Sequence, residues 1–316
     1  MYKKNCKVSL VIPVYNVEKF LKKCLDTVLL QNFKDFEVIL IDDGSTDTSG
    51  TICDEYQKKD NRINVIHKDN GGVSEARNLG ILNASGDYLI FIDSDDYIKD
   101  DYIKLLVDGI ESGPFQLACA DYYISFNNNI EIHSRNDGMK ENYTSVDGVN
   151  ELINKEKYQG YLWNKIFNRK IIVQNCIFFD TSIKIWEDLL FCLQYMKCID
   201  TLIYIRTPIY FYVQHQNSAI SNPNLWLENT HLIALDKMWE ESKFAYGRFN
   251  EYISNYYCNE LVGMLGKPIC NDMEEVSEFM KKIANVNGKL TRKHKLKWLI
   301  FQIFPLIGLK IFGRGY

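Results

Sequence analysis

Three aspartates stand within four positions directly after an apolar run. They are Asp93, Asp95 and Asp96 in the stretch FIDSDDYI (residues 91 to 98). Because carboxylates at this spacing repel each other, either a cation lies between them or they point into water. Hard divalent cations take carboxylate oxygens and can also bridge two phosphates. The pattern therefore favours a site where these carboxylates divide between a ribose hydroxyl and a divalent cation that carries a diphosphate.

Three further polar segments could belong to the same site. They are PVYN at 13–16, DDGSTD at 42–47 and NGGVSEARNLG at 70–80. Tyr15 can flank a nucleobase, the Asp43 carboxylate can accept the imide N–H of uracil, and Arg77 can meet phosphate or carbonyl oxygens with its forked donors. Each segment alone also fits an ordinary turn, loop or helix cap. Together they indicate a nucleotide site.

The four segments follow predicted strands. Short apolar runs predict strands at 9–14, 36–42, 63–67 and 88–93. Helical spacing separates them, with one face formed by Phe20, Leu21, Cys24, Leu25, Val28 and Leu29, and with a further helix from about Ser74 to Leu82. Strand–helix alternation predicts an α/β fold with parallel strands. Since ligands bind beyond the carboxyl ends of such strands, the polar segments should meet at one edge.

The alternation fades after about residue 125, and long helical patterns dominate from Asn222 onward. This predicts three parts: a nucleotide-binding α/β half at 1–120, a second half of the same domain at 121–221 that completes the site, and a helical region at 222–316.

Composition excludes several classes of protein. A chain of 316 residues with 46% hydrophobic content can bury a full core, and a net charge of −4 gives no reason to expect a nucleic-acid partner. Nine scattered cysteines without a CxxC pair indicate thiols in a reducing compartment rather than disulfides or zinc. MYKKNCK runs directly into the first strand, so we expect no signal peptide and a cytoplasmic location.

The ordered motifs VSLVIPVYN, FEVILIDDGSTD, NGGVSEARNLGI and YLIFIDSDD resemble glycosyltransferase family 2 over roughly the first 110 residues. The resemblance implies inverting chemistry and the GT-A fold, a Rossmann-like, mostly parallel sheet flanked by helices, here with a helical C-terminal extension. It implies that Asp43 contacts the nucleobase, Asp93 the ribose and Asp95 a Mn²⁺ or Mg²⁺ ion. The donor would be a nucleotide sugar, often UDP-linked, bound by Pro13, Val14, Tyr15, Asp43, Arg77, Asp93 and Ser94.

An inverting transfer also needs a base that takes the proton of the acceptor hydroxyl. Glu187 and Asp188 open a helical pattern in SIKIWEDLLFCLQY (182–195) and resemble the family's ED pair. We predict Asp188 as the base and Glu187 as an acceptor-side residue. The alternative is an acidic first turn stabilised by the helix dipole.

Two further segments resemble motifs of this family. In GYLWNKIFNRKII (160–172), we predict Trp163, Asn164 and Lys165 on the acceptor side, the alternative being an amphipathic helix with Trp163 in the core. In YFYVQHQNSAIS (210–221), His215 occupies a position where the family more often has arginine. His215 could ligate the metal, contact the diphosphate or serve a structural role.

The C-terminal tail is basic and apolar. No Asp or Glu occurs from Lys281 to Tyr316, and lysines precede an apolar run at 298–312. This run is shorter than the roughly 20 residues needed to span a bilayer. It predicts an interfacial segment on a membrane surface, in which Trp298, Ile300, Phe301 and Phe304 enter the acyl boundary. The alternatives are a helix packed on the domain and a homodimer contact.

These features predict metal-dependent sugar transfer to a glycan or lipid-linked acceptor, in bacterial surface polysaccharide synthesis at the inner face of the cell membrane. A metal-dependent nucleotidyl- or phosphotransferase could use the same DSDD cluster. A non-catalytic protein that binds a sugar nucleotide is a further alternative. A nucleotide-dependent oxidoreductase is disfavoured, because the first strand is not followed by GxGxxG.

Overall fold

The computed structural model describes residues 6–126, 129–133, 136–153, 157–214, 230–243, 245, 248–265, 273–286, 288–303 and 305–312. The chain divides into two compact units, Met1–Ser218 and Ala219–Tyr316. The first unit contains a ten-stranded sheet. The described part of the second unit consists mainly of helices.

The strands are β1 (Val8–Val14), β2 (Phe36–Asp42), β3 (Ile63–His67), β4 (Tyr88–Phe91), β5 (Tyr97–Ile98), β6 (Leu117–Phe126), β7 (Asn129–Ile132), β8 (Lys140–Thr144), β9 (Lys165–Asn168) and β10 (Thr201–Val213). Their order in the sheet is β3-β2-β1-β4-β9-β6-β10-β5, with β7 beside β6 and β8 beside β10.

The helices of the first unit are α1 (Leu21–Leu29), α2 (Ser49–Lys59), α3 (Val73–Asn83), α4 (Tyr102–Ile110), α5 (Ser145–Ile153), α6 (Arg169–Gln174) and α7 (Glu187–Met196). Those of the second unit are α8 (Thr230–Ser242), α9 (Arg248–Met264), α10 (Met273–Ala284), α11 (Arg292–Ile303) and α12 (Pro305–Phe312).

Strands β1 to β4 form the predicted parallel half of the sheet. Strand β1 lies between β2 and β4 and is parallel to both, and β2 pairs in parallel with β3. Alternate β1 side chains share one fully buried cluster with the apolar face of α1, comprising Val8, Leu10, Ile12, Val14, Leu21, Cys24, Leu25 and Val28. Each large aliphatic side chain buried in this way contributes about 1.5–3 kcal/mol.

Helix α3 packs closely on β1. A Cβ atom added at Gly80 would lie 2.2 Å from Cγ1 of Val11, so only glycine allows this approach of helix to strand. Because α3 begins just beyond the carboxyl ends of the strands, this contact sets the position of the first half of the helix, where Arg77 lies.

The second half of the sheet is mixed. Strands β6 and β10 are parallel, whereas β9 runs antiparallel to both β4 and β6 and β5 runs antiparallel to β10. The predicted α/β class, with a largely parallel sheet and a helical C-terminal region, is confirmed. Residues 160–172 are not one amphipathic helix, because β9 begins at Lys165 and α6 at Arg169.

The C-terminal helices expose different side chains from those predicted to enter a membrane interface. Phe301 is fully buried, and Trp298 and Ile300 are half-buried. Phe304 lies outside the described residues. None of the described helices is both long enough and apolar enough to cross a bilayer.

Candidate functional site

The loops after β1 and β2 hold each other at the carboxyl edge of the sheet. The Asn16 side-chain oxygen accepts a hydrogen bond from the Thr46 backbone N–H at 2.8 Å, and the Val17 N–H donates to the Ser49 hydroxyl at 2.9 Å. Thr46 in DGSTD and Ser49 just after it thus tie the two loops together. Tyr15 is left 48% exposed beside them, where its ring can meet a ligand.

Asp43 fastens the glycine loop that precedes α3. One carboxylate oxygen accepts from the Lys68 ammonium at 2.6 Å and from the Gly71 N–H at 2.9 Å, and the other accepts from the Gly72 N–H at 2.8 Å. Gly72 has a φ of +89°, a conformation that favours glycine. Only 3% of Asp43 is exposed, so its role in base recognition stays a prediction. The DDGSTD motif alone did not reveal that Lys68 is the cation paired with Asp43.

The other predicted donor-binding residues near these loops are mostly buried. Pro13 and Val14 lie inside β1, and the Val14 carbonyl accepts from the Asp43 N–H at 2.9 Å. Ser94 is 6% exposed. These residues shape the backbone around the site rather than presenting large side-chain surfaces to it.

Arg77 joins the two acidic motifs. Its Nη1 donates to Glu187 at 2.9 Å and its Nη2 to Asp93 at 3.0 Å. Burial alone would lower the pKa of Arg77, but the charges of Asp93 and Glu187 outweigh burial and raise it. The sequence predicted an arginine facing phosphate or carbonyl oxygens, whereas the structure shows both terminal nitrogens engaged by carboxylates.

Glu187 and Asp188 begin α7, as predicted. The residue before them, Trp186, has a left-handed backbone with φ of 68°, a conformation that costs roughly 1–3 kcal/mol at a non-glycine residue. Burial and the neighbouring charge of Glu187 raise the pKa of Asp188 to about 7, and burial also raises the pKa of Glu187. Asp188 therefore has the proton affinity of a base that works near neutral pH.

The DSDD aspartates differ in environment. Asp96 is 2% exposed and accepts from the Tyr210 hydroxyl and the Val213 N–H, both at 2.7 Å, so its role is structural. Burial and the charge of Asp93 raise the pKa of Asp95 to about 6. Asp93 and Asp95 thus form the repelling carboxylate pair of this cluster.

The carboxylate pair fits a hard divalent cation. Burial and like charge both penalise ionised Asp95, and a bound cation would reverse that penalty. Among the residues that the structure describes, no group of three or more His, Cys, Asp and Glu side chains could hold a metal by itself. A cation here would therefore complete its coordination with ligand oxygens and water. His215 lies outside the described residues.

Two residues predicted on the acceptor side lie in the interior of the first unit. Asn164 and Lys165 are fully buried. The Lys165 ammonium donates to the carbonyls of residues 158, 159 and 161 at 3.1, 2.6 and 2.6 Å and to the Asn164 side chain at 2.8 Å. Burial lowers the pKa of Lys165. This network holds the loop before β9 and leaves no exposed donor for a sugar.

Trp163 supports two tyrosines that the sequence analysis missed. It is 3% exposed and stacks on Tyr161 with a ring separation of 4.7 Å and on Tyr212 with one of 5.5 Å. Burial and then the charge of Asp188 raise the pKa of Tyr161, while burial, Tyr161 and the DSDD carboxylates raise that of Tyr212. Tyr161 is therefore near enough to feel the charge of Asp188, and Tyr212 near enough to feel the charges of the DSDD carboxylates. The available signal was that Tyr161 lies two residues before Trp163 and that Tyr212 lies near the end of β10.

Comparison with known proteins agrees with these motifs. The family described as Glycosyl transferase family 2 matches residues 9–174. Glycosyltransferase GlyA of Streptococcus pneumoniae serotype 4 is 33% identical over 242 residues, which are 74% of this chain but only 34% of GlyA. The uncharacterized glycosyltransferase EpsJ of Bacillus subtilis is 29% identical over 88% of this chain and 83% of EpsJ.

A solved structure extends the likeness to the fold. The crystal structure of S. aureus TarS 1-349 in complex with UDP-GlcNAc has a TM-score of 0.74 to this chain at 18% sequence identity. The match covers 97% of this chain and 90% of that one. At this identity the comparison shows a shared fold.

Proposed function

The chain belongs to glycosyltransferase family 2 and has the GT-A fold, and on that premise we propose that it transfers a sugar, with inversion, from a UDP-sugar to a hydroxyl of a glycan or lipid-linked acceptor. The observation that carries this proposal is the double ion pair of Arg77 with Asp93 and Glu187. Through it the donor-side and acceptor-side motifs meet at one site.

The donor half of the proposal rests on the loops at the sheet edge. Tyr15 is exposed where a nucleobase could stack, and Asp43 organises the adjoining glycine loop. We assign the ribose to Asp93. The UDP-GlcNAc complex of TarS supports a uridine nucleotide in this fold, and the donor sugar of this chain is part of the proposal.

Asp95 would hold Mn²⁺ or Mg²⁺ together with the donor diphosphate, next to the ribose that we assign to Asp93. When bound, the cation neutralises the charge that develops on the departing nucleoside diphosphate. Asp96 keeps the neighbouring backbone in place through Tyr210 and Val213. In this proposal Asp93 and Asp95 bind the donor and the cation, whereas Asp96 stabilises the fold.

We assign the role of general base to Asp188. As the acceptor oxygen attacks the anomeric carbon, the Asp188 carboxylate takes the hydroxyl proton, and the bond from that carbon to the diphosphate oxygen breaks. Glu187 acts as a positioning residue through its ion pair with Arg77. Tyr161 and Tyr212 offer aromatic surface between Asp188 and the DSDD cluster, which suits the apolar face of an acceptor sugar.

The biological setting follows from the acceptor class. Glycosyltransferase relatives such as GlyA and EpsJ come from bacteria, and they support a role in bacterial surface polysaccharide synthesis. A lipid-linked acceptor would place the enzyme peripherally on the inner face of the cell membrane. We also propose the three-part organisation predicted above, with donor binding at 1–120, completion of the site at 121–221 and a helical region at 222–316.

The test is a panel of UDP-sugars incubated with the full chain and Mn²⁺, Mg²⁺ or excess chelator. We expect slow, metal-dependent hydrolysis of at least one donor, measured as released UDP. Release of pyrophosphate instead would indicate nucleotidyl transfer. Nucleotide binding without turnover of any donor would support a non-catalytic protein that binds a sugar nucleotide.

A further inference from the structure

Helix α11 presents an apolar stripe to solvent. Leu296, Leu299 and Ile303 are 62%, 50% and 55% exposed. Their spacing of three and then four residues puts them on one side of the helix. The opposite side is the packed one, since Phe301 is fully buried.

Basic side chains surround this stripe. Arg292 lies four residues before Leu296 on the same side, and a helical projection places Lys293 and Lys295 on either flank. All three are exposed. Lys297 belongs to the packed side, because its ammonium donates to the Gly263 carbonyl at 3.0 Å. We call the outward set the docking face: Arg292, Lys293, Lys295, Leu296, Leu299 and Ile303.

We propose that the docking face binds an anionic lipid surface. Exposed leucines and isoleucine between cations match an acyl boundary beneath negative headgroups. The absence of acidic residues from Lys281 to Tyr316 keeps the tail free of acidic side chains that would oppose such contact. Only the biological purpose of this membrane binding rests on the proposed function, since a lipid-linked acceptor would lie at the same surface.

The alternative occupant is a second copy of the chain. The charge of the docking face disfavours it, because two copies related by a two-fold axis would bring like charges together. An anionic surface instead pairs every cation with a headgroup. Each basic side chain should raise lipid partitioning by about fivefold at low salt, and salt should weaken the binding.

The experiment is flotation of the full chain with vesicles of equimolar phosphatidylglycerol and phosphatidylcholine, and with pure phosphatidylcholine. We expect flotation with the anionic vesicles only, reduced by salt. An apolar variant, Leu296→Gln with Leu299→Gln and Ile303→Gln, and a charge variant, Arg292→Gln with Lys293→Gln and Lys295→Gln, should each lose at least tenfold in partitioning.

Matched controls exist in the first unit. Leu30→Gln and Leu82→Gln change leucines that are 69% and 67% exposed, and Lys22→Gln with Lys58→Gln and Lys170→Gln removes equal charge from exposed positions. These controls should float like the wild type. Wild-type protein that stays unbound, or docking-face variants that float like the controls, would overturn the proposal.

Light scattering and donor hydrolysis complete the design. A wild-type dimer that the apolar variant converts to a monomer, without vesicle binding, would assign the docking face to a second copy. Donor hydrolysis in solution should be equal in all variants. Failure of the glycosyltransferase proposal would instead appear as absent hydrolysis in the wild type, whatever the flotation result.

Discussion

At the scale of single residues, the central feature is a buried arginine between carboxylates from distant segments. Arg77 is 6% exposed, and Glu187 lies 110 positions away along the chain. A buried charge is stable only while its partners remain. The same contact that stabilises the fold therefore holds the donor and acceptor motifs in one place.

Loss of Arg77 should destabilise the first unit. Arg77→Met leaves Asp93 and Glu187 without their cation, and we expect a loss of about 3–5 kcal/mol in the free energy of unfolding. Urea denaturation measures it. Arg62→Met is the control, because its partner Asp60 is two residues away and partly exposed, so its loss should be about 1 kcal/mol or less. Equal effects from both variants would contradict the assignment.

Asp188→Asn should lower sugar transfer by roughly 100-fold or more while UDP binding is retained, because the amide preserves the shape and cannot accept the proton. Transfer rate and UDP affinity are measured separately. Asp108→Asn, an exposed acid on α4, is the control. A normal transfer rate in Asp188→Asn would reduce Asp188 to a helix-terminal acid.

The pH dependence of transfer should show the same group. With the Asp188 pKa raised to about 7 by burial and Glu187, the carboxylate is protonated and inactive in acid. The transfer rate should therefore rise with pH through about 7 and then level. The measurement is kcat against pH with saturating metal and donor. A rate that stays flat from acid to neutral pH would exclude Asp188 as the titrating base.

At the scale of elements, helix α3 and the loops before it determine the geometry of the site. Gly80 allows α3 to approach β1, and Asp43 holds the loop in which Gly72 adopts positive φ. The Lys165 network performs a similar task for the loop before β9. In each case a glycine or a buried charged residue fixes the conformation of a backbone segment near the site.

Gly80→Val should strain the contact between α3 and β1. The added Cβ would lie 2.2 Å from Val11, and such overpacking costs about 1–3 kcal/mol. Gly263→Ala in α9 is the control, because its nearest neighbour would be 3.7 Å away and alanine favours a helix by up to about 1 kcal/mol. Thermal unfolding distinguishes them. Equal stability of Gly80→Val and wild type would show that the helix can shift freely.

At the scale of the whole molecule, the chain combines two compact units with different compositions. The first contains the sheet and every described candidate residue of the site. The second ends in basic helices that expose the docking face. We therefore assign catalysis to the first unit and propose membrane location for the second.

Donor and metal should stabilise the protein together. UDP with Mn²⁺ should raise the midpoint of thermal unfolding more than the sum of the separate shifts, because under our proposal Asp95 would hold the cation together with the donor diphosphate. At about 100 times the dissociation constant the added stability is about 2.7 kcal/mol. Asp95→Ala should keep the UDP-only shift, lose the increment from Mn²⁺ and abolish transfer. An unchanged Mn²⁺ increment in Asp95→Ala would contradict this metal assignment.

The sequence alone determined strands β1 to β4, their parallel direction and the edge at which PVYN, DDGSTD and DSDD lie. These features depend on hydrophobic periodicity and turn-forming residues, and both can be read from a short segment of sequence. The sequence also predicted that the Glu187 and Asp188 pair opens a helix, as it does, and its resemblance to the family's ED pair led to the prediction of a base.

Only the tertiary structure decided which partners the side chains have. Arg77 pairs with the carboxylates of Asp93 and Glu187, and the Lys165 ammonium donates to backbone carbonyls. Trp163 is buried beneath Tyr161 and Tyr212, on which it stacks. The outward side of α11 likewise proved to be Leu296, Leu299 and Ile303 rather than Phe301. The physical reason is that burial and ion pairing depend on neighbours brought together from distant parts of the chain, which spacing along one segment does not specify.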